Sequence, residues 1–175
     1  MQKHVIKVIK ILMSKKALIL GGNGFVGQYL SRLLQLTCDV KTVGRDADVR
    51  DKTVLEHLLS CCKYDFVINL AAISNIAEAF SKPKTCWNVN FGGTFNILTS
   101  LQNTGFEGSF LFVSSSQVYG QVSHELLPIK EDKLCLPSNP YGQSKLAAEN
   151  LCTNFSTFAK FNIVIARPFN HVGYG

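Results

Sequence analysis

The run Ala17-Leu18-Ile19-Leu20, followed at once by Gly21-Gly22-Asn23-Gly24-Phe25-Val26-Gly27, constrains this chain more than any other stretch. Four consecutive apolar residues ending in glycines fit a short parallel strand buried on both faces. Phe25, Val26, Tyr29, Leu30, Leu33 and Leu34 then recur at helical spacing, which starts a helix directly after the glycines. A strand, a glycine turn and a helix in that order suit a dinucleotide. Glycine permits the tight turn, lets backbone N–H groups approach a pyrophosphate and allows helix to pack closely on strand, while the helix N-terminus adds partial positive charge. The run satisfies G-x-G-x-x-G from Gly22 and G-x-x-G-x-x-G from Gly21. The plainer alternative is a glycine-rich turn with no ligand, because such a run alone recurs by chance.

Strand and helix signals continue to alternate. Val40–Val43 reads as a second strand, Lys52–Cys62 as a helix with Val54, Leu55, Leu58 and Leu59 on one face, and Phe66–Leu70 as a third strand. A long helix is predicted from about Thr85 to Asn103, a fourth strand over Phe110–Val113, a helix from Tyr141 to Lys160, and a fifth strand over Ile163–Ile165. The order implies right-handed βαβ units and an α/β, doubly wound parallel sheet of about five strands in three layers, with its ligand site at the carboxyl ends of the strands. Gln121–Asn139 is polar and proline-bearing, and is expected to form a loop over that site or a surface excursion.

Composition narrows the function classes. The net charge of +6 would suit a nucleic-acid surface, yet five of the basic residues (Lys3, Lys7, Lys10, Lys15 and Lys16) precede Ala17 and all twelve acids follow it. The globular part is nearly neutral, so no nucleic-acid partner is expected. Cys38, Cys61, Cys62, Cys86, Cys135 and Cys152 show neither a C-x-x-C pair nor His spacing for zinc; reduced thiols, no metal and a cytoplasmic location are the expectation. Residues 1–12 could form a short interfacial helix, with Val5, Val8 or Ile9, and Leu12 opposite the lysines. They are too few to span a bilayer. The alternative makes residues 1–14 a basic extension outside the fold, with a dinucleotide-binding domain over 15–175.

Two further constellations carry chemistry. Tyr141-Gly142-Gln143-Ser144-Lys145 places a phenol and an ammonium at i and i+4, on one face of the predicted helix, where a positive charge favours the ionised phenol. Ser114-Ser115-Ser116 ends the fourth strand, where hydroxyls can reach a substrate oxygen. A Ser-His-Asp hydrolase is disfavoured for want of a G-x-S-x-G elbow. At the end of the second strand stands Gly44-Arg45, where a basic residue accommodates the extra phosphate of NADP and an acid would bind NAD; a merely solvated arginine beside Asp46 is the alternative. Asp51 is placed to cap the next helix.

With these pieces in order, residues 15–175 closely resemble the extended short-chain dehydrogenase/reductases, the NAD-dependent epimerase/dehydratase family, which have a Rossmann fold. The resemblance extends to Asp48-Val49, Asn69-Leu70-Ala71-Ala72, Asn88-Val89-Asn90 with Gly93-Thr94 and Asn96, and Arg167-Pro168-Phe169-Asn170. It implies Tyr141 as acid–base residue, Lys145 as the group that holds the nicotinamide ribose and lowers the Tyr141 pKa, and Ser115 as the residue that orients the reacting oxygen, with Ser116 its possible substitute. It further implies a cofactor held by Gly21, Gly24, Phe25, Val26, Gly27, Arg45, Asp48, Val49, Leu70, Ala71, Ala72, Asn90, Tyr141, Lys145 and Pro168. Asn90 is expected to support Lys145 through a polar network, and Ser74, Ser116 and Asn170 to meet the substrate.

Dehydratases of the family carry an acidic pair after the active-site Ser/Thr, and this chain has Ser116-Gln117, which leaves 4-keto reduction or epimerisation. The stretch from Arg167 to Gly173 is similar to that of GDP-4-keto-6-deoxymannose reductases. A reductase using NADP(H), with NAD(H) as the other cofactor, is therefore the leading expectation. An epimerase holding NAD tightly and a catalytically silent remnant are the competing ones. Family members continue into a carboxyl-terminal substrate lobe, expected to be missing here; the exposed apolar surface this would leave admits a homodimer beside the nucleotide-sugar partner.

Overall fold

A computed structural model describes residues 15–174; the expectations for residues 1–14 fall outside it. The strands are β1 (Lys16–Leu20), β2 (Asp39–Val43), β3 (Phe66–Asn69), β4 (Ser109–Val113) and β5 (Asn162–Ala166). The helices are α1 (Phe25–Leu34), α2 (Lys52–Ser60), α3 (Ile76–Ser81), α4 (Pro83–Trp87), α5 (Gly93–Asn103) and α6 (Pro140–Phe155). All strand pairs are parallel and the order is β2-β1-β3-β4-β5. The chain thus steps to one side of β1 for β2 and to the other for β3. This reversal opens a crevice at the carboxyl ends of β1 and β3.

β1 is central because it can be. Ala17, Leu18 and Ile19 are fully buried and Leu20 nearly so, as an uninterrupted apolar run on a two-sided strand requires. On one face Leu18, Leu20, Val67, Phe110 and Phe112 meet Leu55, Leu58 and Leu59 of α2, Ile97, Leu98 and Leu101 of α5, and Ala148, Cys152 and Phe155 of α6. Right-handed crossovers put α1 on the other face. That third layer is thin: α1 buries only Gly27, and Phe66 and Val164 remain 37% and 46% exposed.

The long helix expected over 85–103 is real but broken. Asn88–Gly92 forms a π turn between α4 and α5, within which Asn90 turns a buried amide towards Ile73 and Ser144. Gly93 lies where a Cβ would stand 2.5 Å from Val49 Cγ2, so the helix can approach the β2–α2 connection only with glycine there. The six-residue α3, capped by Asn75, was not foreseen, since one and a half turns show no readable period. Residues 121–139 are an excursion with one short turn at His124–Leu126.

The predicted cap at Asp51 is present: its carboxylate accepts from the N–H groups of Thr53 and Val54, at 2.9 and 3.3 Å. Asp51→Ala leaves both amides without that acceptor and should lower the urea denaturation midpoint. A urea denaturation midpoint unchanged from wild type would contradict this.

Candidate functional site

At the turn after β1, Gly21 adopts φ +81°, and a Cβ there would sit 2.6 Å from the Ala71 nitrogen. The β1 and β3 turns are therefore in backbone contact, which only glycine allows. A Cβ on Gly27 would lie 2.6 Å from the Gly22 oxygen, so glycine also lets α1 start tight against the turn. The Gly21 and Gly22 N–H groups both donate to Val43 O at 2.9 Å, tying the turn to β2. Gly24, the α1 N-cap, supplies no side chain, so the first amides of α1 have no side-chain cap and face the crevice with the positive end of the helix dipole.

A cleft of about 440 Å³ runs from this turn to α6. Gly21, Gly24, Phe25, Val26 and Gly27 form one end, Leu70, Ala72 and Ser74 the floor and rim after β3, and Ser115, Tyr141, Lys145, Pro168 and Asn170 the other end. These expected residues are brought together from the ends of four strands. Ile76, Val113, Gln117, Phe169 and His171 also line the cleft, though the sequence reading gave them no place in the site, and Ser114 joins them from the serine run that ends β4. Ser114 is notable: its hydroxyl is buried and has no hydrogen-bond partner within the protein, so it can receive or give one to a ligand.

Other expected residues stand outside the cleft lining. Arg45 is exposed beyond β2 and makes no ion pair among the described residues; Asp46 is occupied by the Gly44 N–H at 2.8 Å. Asp48 forms a salt bridge with Arg50, with Nε at 2.9 and 3.0 Å from its two oxygens, and this guanidinium holds the Asp48 pKa below its ordinary value. The Val49 side chain is buried against Gly93. Ala71 donates its N–H to Asn69 Oδ1 at 3.1 Å, which shapes the β3 turn. Ser116 donates its N–H to Pro168 O at 2.9 Å and lines no part of the cleft.

Asn90 reaches the helix of Lys145 through Ser144. Its amide accepts from Ile73 N and donates to Ile73 O and to Ser144 Oγ, at 2.9, 3.1 and 2.9 Å. It is 1% exposed and reaches the neighbour of Lys145 instead of Lys145 itself. An amide fully spent on the β3–α3 loop and on α6 fixes their separation.

The phenol and ammonium share a face of α6 as the i, i+4 spacing requires. Asn139 caps that helix by accepting from the Gly142 N–H at 2.8 Å. Gly142 allows the turn at Ser116–Tyr119 to press on α6, since a Cβ would lie 2.6 Å from Gln117 O. Lys145 Nζ donates to Val113 O at 2.7 Å and sits 4.8 Å from the centre of the Phe112 ring. Burial lowers its pKa to about 8, against smaller upward effects of Cys152, Cys86 and Glu149. Burial of Tyr141 raises its pKa, and the opposing influence is the Ser115 hydroxyl.

A parallel doubly wound sheet, a glycine turn at its crevice and a buried Ser-Tyr-Lys group define a Rossmann-fold protein of the short-chain dehydrogenase/reductase class. The family model for the NAD dependent epimerase/dehydratase family matches residues 17–175, and the chain belongs to that family. GDP-6-deoxy-D-mannose reductase of Pseudomonas aeruginosa is 38% identical over 166 residues, 93% of this chain and 54% of the relative. UDP-glucose 4-epimerase 2 of Oryza sativa is 33% identical over 127 residues, 72% of this chain and 30% of the relative. Among solved structures, RMD from Pseudomonas aeruginosa complexed with NADPH superposes with a TM-score of 0.85 at 37% identity, over 91% of this chain and 55% of that one. UDP-glucose 4-epimerase from Brucella ovis in complex with NAD gives 0.78 at 26% identity, over 90% and 52%. The chain spans about half the length of the reductase.

Among the described residues no group of three or more His, Cys, Asp and Glu is placed to hold a metal ion, and no helix is long and apolar enough to cross a membrane. No disulfide joins the cysteines.

The buried ammonium makes a pH prediction. Between pH 8 and 10.5 the unfolded chain binds the Lys145 proton and the folded chain releases it, so this group adds stability as pH rises from about 8. Cys152, raised to about 12, acts oppositely only above its ordinary value of 9.0. From pH 8 to 9, wild type should therefore gain stability relative to Lys145→Met in urea titrations. A constant difference would contradict the burial of a charged Lys145.

Proposed function

We propose that this chain carries the cofactor site and the acid–base group of a reductase that takes NADPH and acts on a nucleotide-linked 4-keto-6-deoxy sugar. The observation that carries the reading is the single cleft joining the Gly21–Gly27 turn to Ser115, Tyr141 and Lys145. Two features fit a dinucleotide: a turn at the cleft end so tight against the chain's own backbone that only glycine fits at 21 and 27, and an orphaned Ser114 hydroxyl in the cleft wall.

Gly21, Gly24, Phe25, Val26 and Gly27 would hold the pyrophosphate, with Arg45 at the adenosine phosphate and Asp48 and Val49 near the adenine. Leu70, Ala71, Ala72 and Pro168 would border the nicotinamide half. When bound, the dinucleotide supplies the hydride for the carbonyl carbon. Ser115 donates a hydrogen bond that orients the carbonyl oxygen, and Tyr141 gives that oxygen a proton. The raised pKa of Tyr141 keeps the phenol protonated at neutral pH, the form a reduction needs. Lys145 supplies donors for the ribose hydroxyls. Ser74 and Asn170 stand at the cleft rim, where the sugar would enter.

The reductase reading draws support from the 38% identity to a GDP-6-deoxy-D-mannose reductase and from exposed Arg45 with no ion-pair partner among the described residues. An epimerase is the second reading, favoured by the 33% identity to a UDP-glucose 4-epimerase; it would purify with nicotinamide bound, whereas a reductase would consume NADPH stoichiometrically.

Titration should find NADPH bound more tightly than NADH, and Arg45→Asp should reverse the order; equal affinities in wild type would refute the role of Arg45. Tyr141→Phe should leave NADPH affinity within about twofold and lower ketone reduction by about 10²–10⁴-fold, the usual contribution of an acid–base group. Unchanged kcat in that variant would remove Tyr141 from the mechanism.

A further inference from the structure

Glu149 lies on α6 one turn beyond Lys145 and two beyond Tyr141, on the same buried face. Its side chain is 4% exposed and is met by Arg167 at the end of β5. Arg167 donates to both Glu149 oxygens from Nε, at 3.0 and 3.1 Å, and from Nη2 at 2.7 Å. Its remaining nitrogen, Nη1, donates to Tyr119 Oη at 3.0 Å and to the backbone carbonyl of Glu131 at 2.9 Å. The guanidinium carbon also stands 5.0 Å from the centre of the Tyr119 ring.

One planar fork thus joins four pieces of chain. They are the helix carrying Tyr141 and Lys145, the end of β5 leading into the cleft segment Pro168–His171, the turn that follows Ser115, and the excursion 121–139. A buried carboxylate without a partner would be costly, so the geometry is retained as a unit. Lysine could neutralise Glu149 but could not make the same set of bonds from a rigid plane.

We infer that Arg167, held by Glu149, is a positioning residue: it keeps Tyr141 and Lys145 in register with Ser115 and fastens the excursion 121–139 beside the cleft. The inference rests on the proposed function for what is being positioned, and on the structure alone for the fastening. Arg167 follows β5 at one edge of the sheet and Arg45 follows β2 at the other, so the adenosine half of a dinucleotide site should not depend on Arg167. The nicotinamide half should.

The test uses the 175-residue chain as wild type, Arg167→Lys and the isosteric Glu149→Gln, with hydrogen exchange read by mass spectrometry and two ligands titrated. NADPH spans the whole cleft; adenosine 2′,5′-bisphosphate probes the adenosine half. Charge-assisted hydrogen bonds of this strength predict an exchange rise of about tenfold over residues 115–139 in both variants, with 16–34 unchanged. NADPH affinity should fall by about tenfold and adenosine 2′,5′-bisphosphate affinity stay within about twofold, a split that general loosening would not give. Exchange unchanged over 115–139 overturns the inference, as does a rise spread equally over 16–34 or an equal loss of both ligands. If exchange rises selectively while wild type binds neither ligand, the fastening stands and the cofactor reading falls.

Discussion

Everything at the site follows from the parting of the chain at the carboxyl end of β1. With β2 on one side and β3 on the other, the two turns that leave this point must pass each other with backbone atoms in contact. The approach of a Gly21 Cβ position to within 2.6 Å of the Ala71 nitrogen measures how little room there is. Glycine at 21 and 27 resolves the crowding and leaves an opening lined by amides. Val43, which accepts both turn N–H groups, locks that opening to β2. The crevice is a consequence of topology, and the glycines make it habitable for a ligand.

The far end of the cleft is governed by burial of polar groups. Lys145 and Tyr141 are both nearly out of contact with water, and desolvation pushes each towards its neutral form. For the phenol that means retaining a proton to give. For the ammonium, a carbonyl at 2.7 Å and an aromatic face replace only part of the lost hydration. The ammonium is turned to Val113, and Ser115 is the neighbour that acts on the phenol against the effect of its burial. Asn90, Ser144 and the Arg167–Glu149 pair hold the walls in which these groups sit.

Much of this was legible in the sequence because it rests on local pattern. The apolar run at 17–20, the glycines that follow and the i, i+4 spacing of Tyr141 and Lys145 each specify their own neighbourhood, and alternation of strand and helix specifies the sheet. Asp51 as a cap was legible for the same reason. What escaped depends on contacts distant in sequence: the π turn at Asn90 answers to Ile73 and Ser144, and Arg167 answers to Glu149, Tyr119 and Glu131 at once. Ile76 and His171 join the cleft only through the way separate loops converge. Of the three layers expected, the one carrying α1 is thin among the described residues, and Phe66 and Val164 stay partly exposed there.

The central claim is that one cleft, from Gly21 to Lys145, receives a dinucleotide along its length. Backbone amide chemical shifts of ¹⁵N-labelled protein, followed through a titration with NADPH, test it most directly. The account predicts saturable shifts at Gly21–Gly27, at Leu70–Ala72, and at Ser115, Tyr141 and Lys145, with α2 and the outer face of α5 undisturbed. Saturable shifts confined to residues away from the cleft, or none at all up to millimolar NADPH, would contradict it.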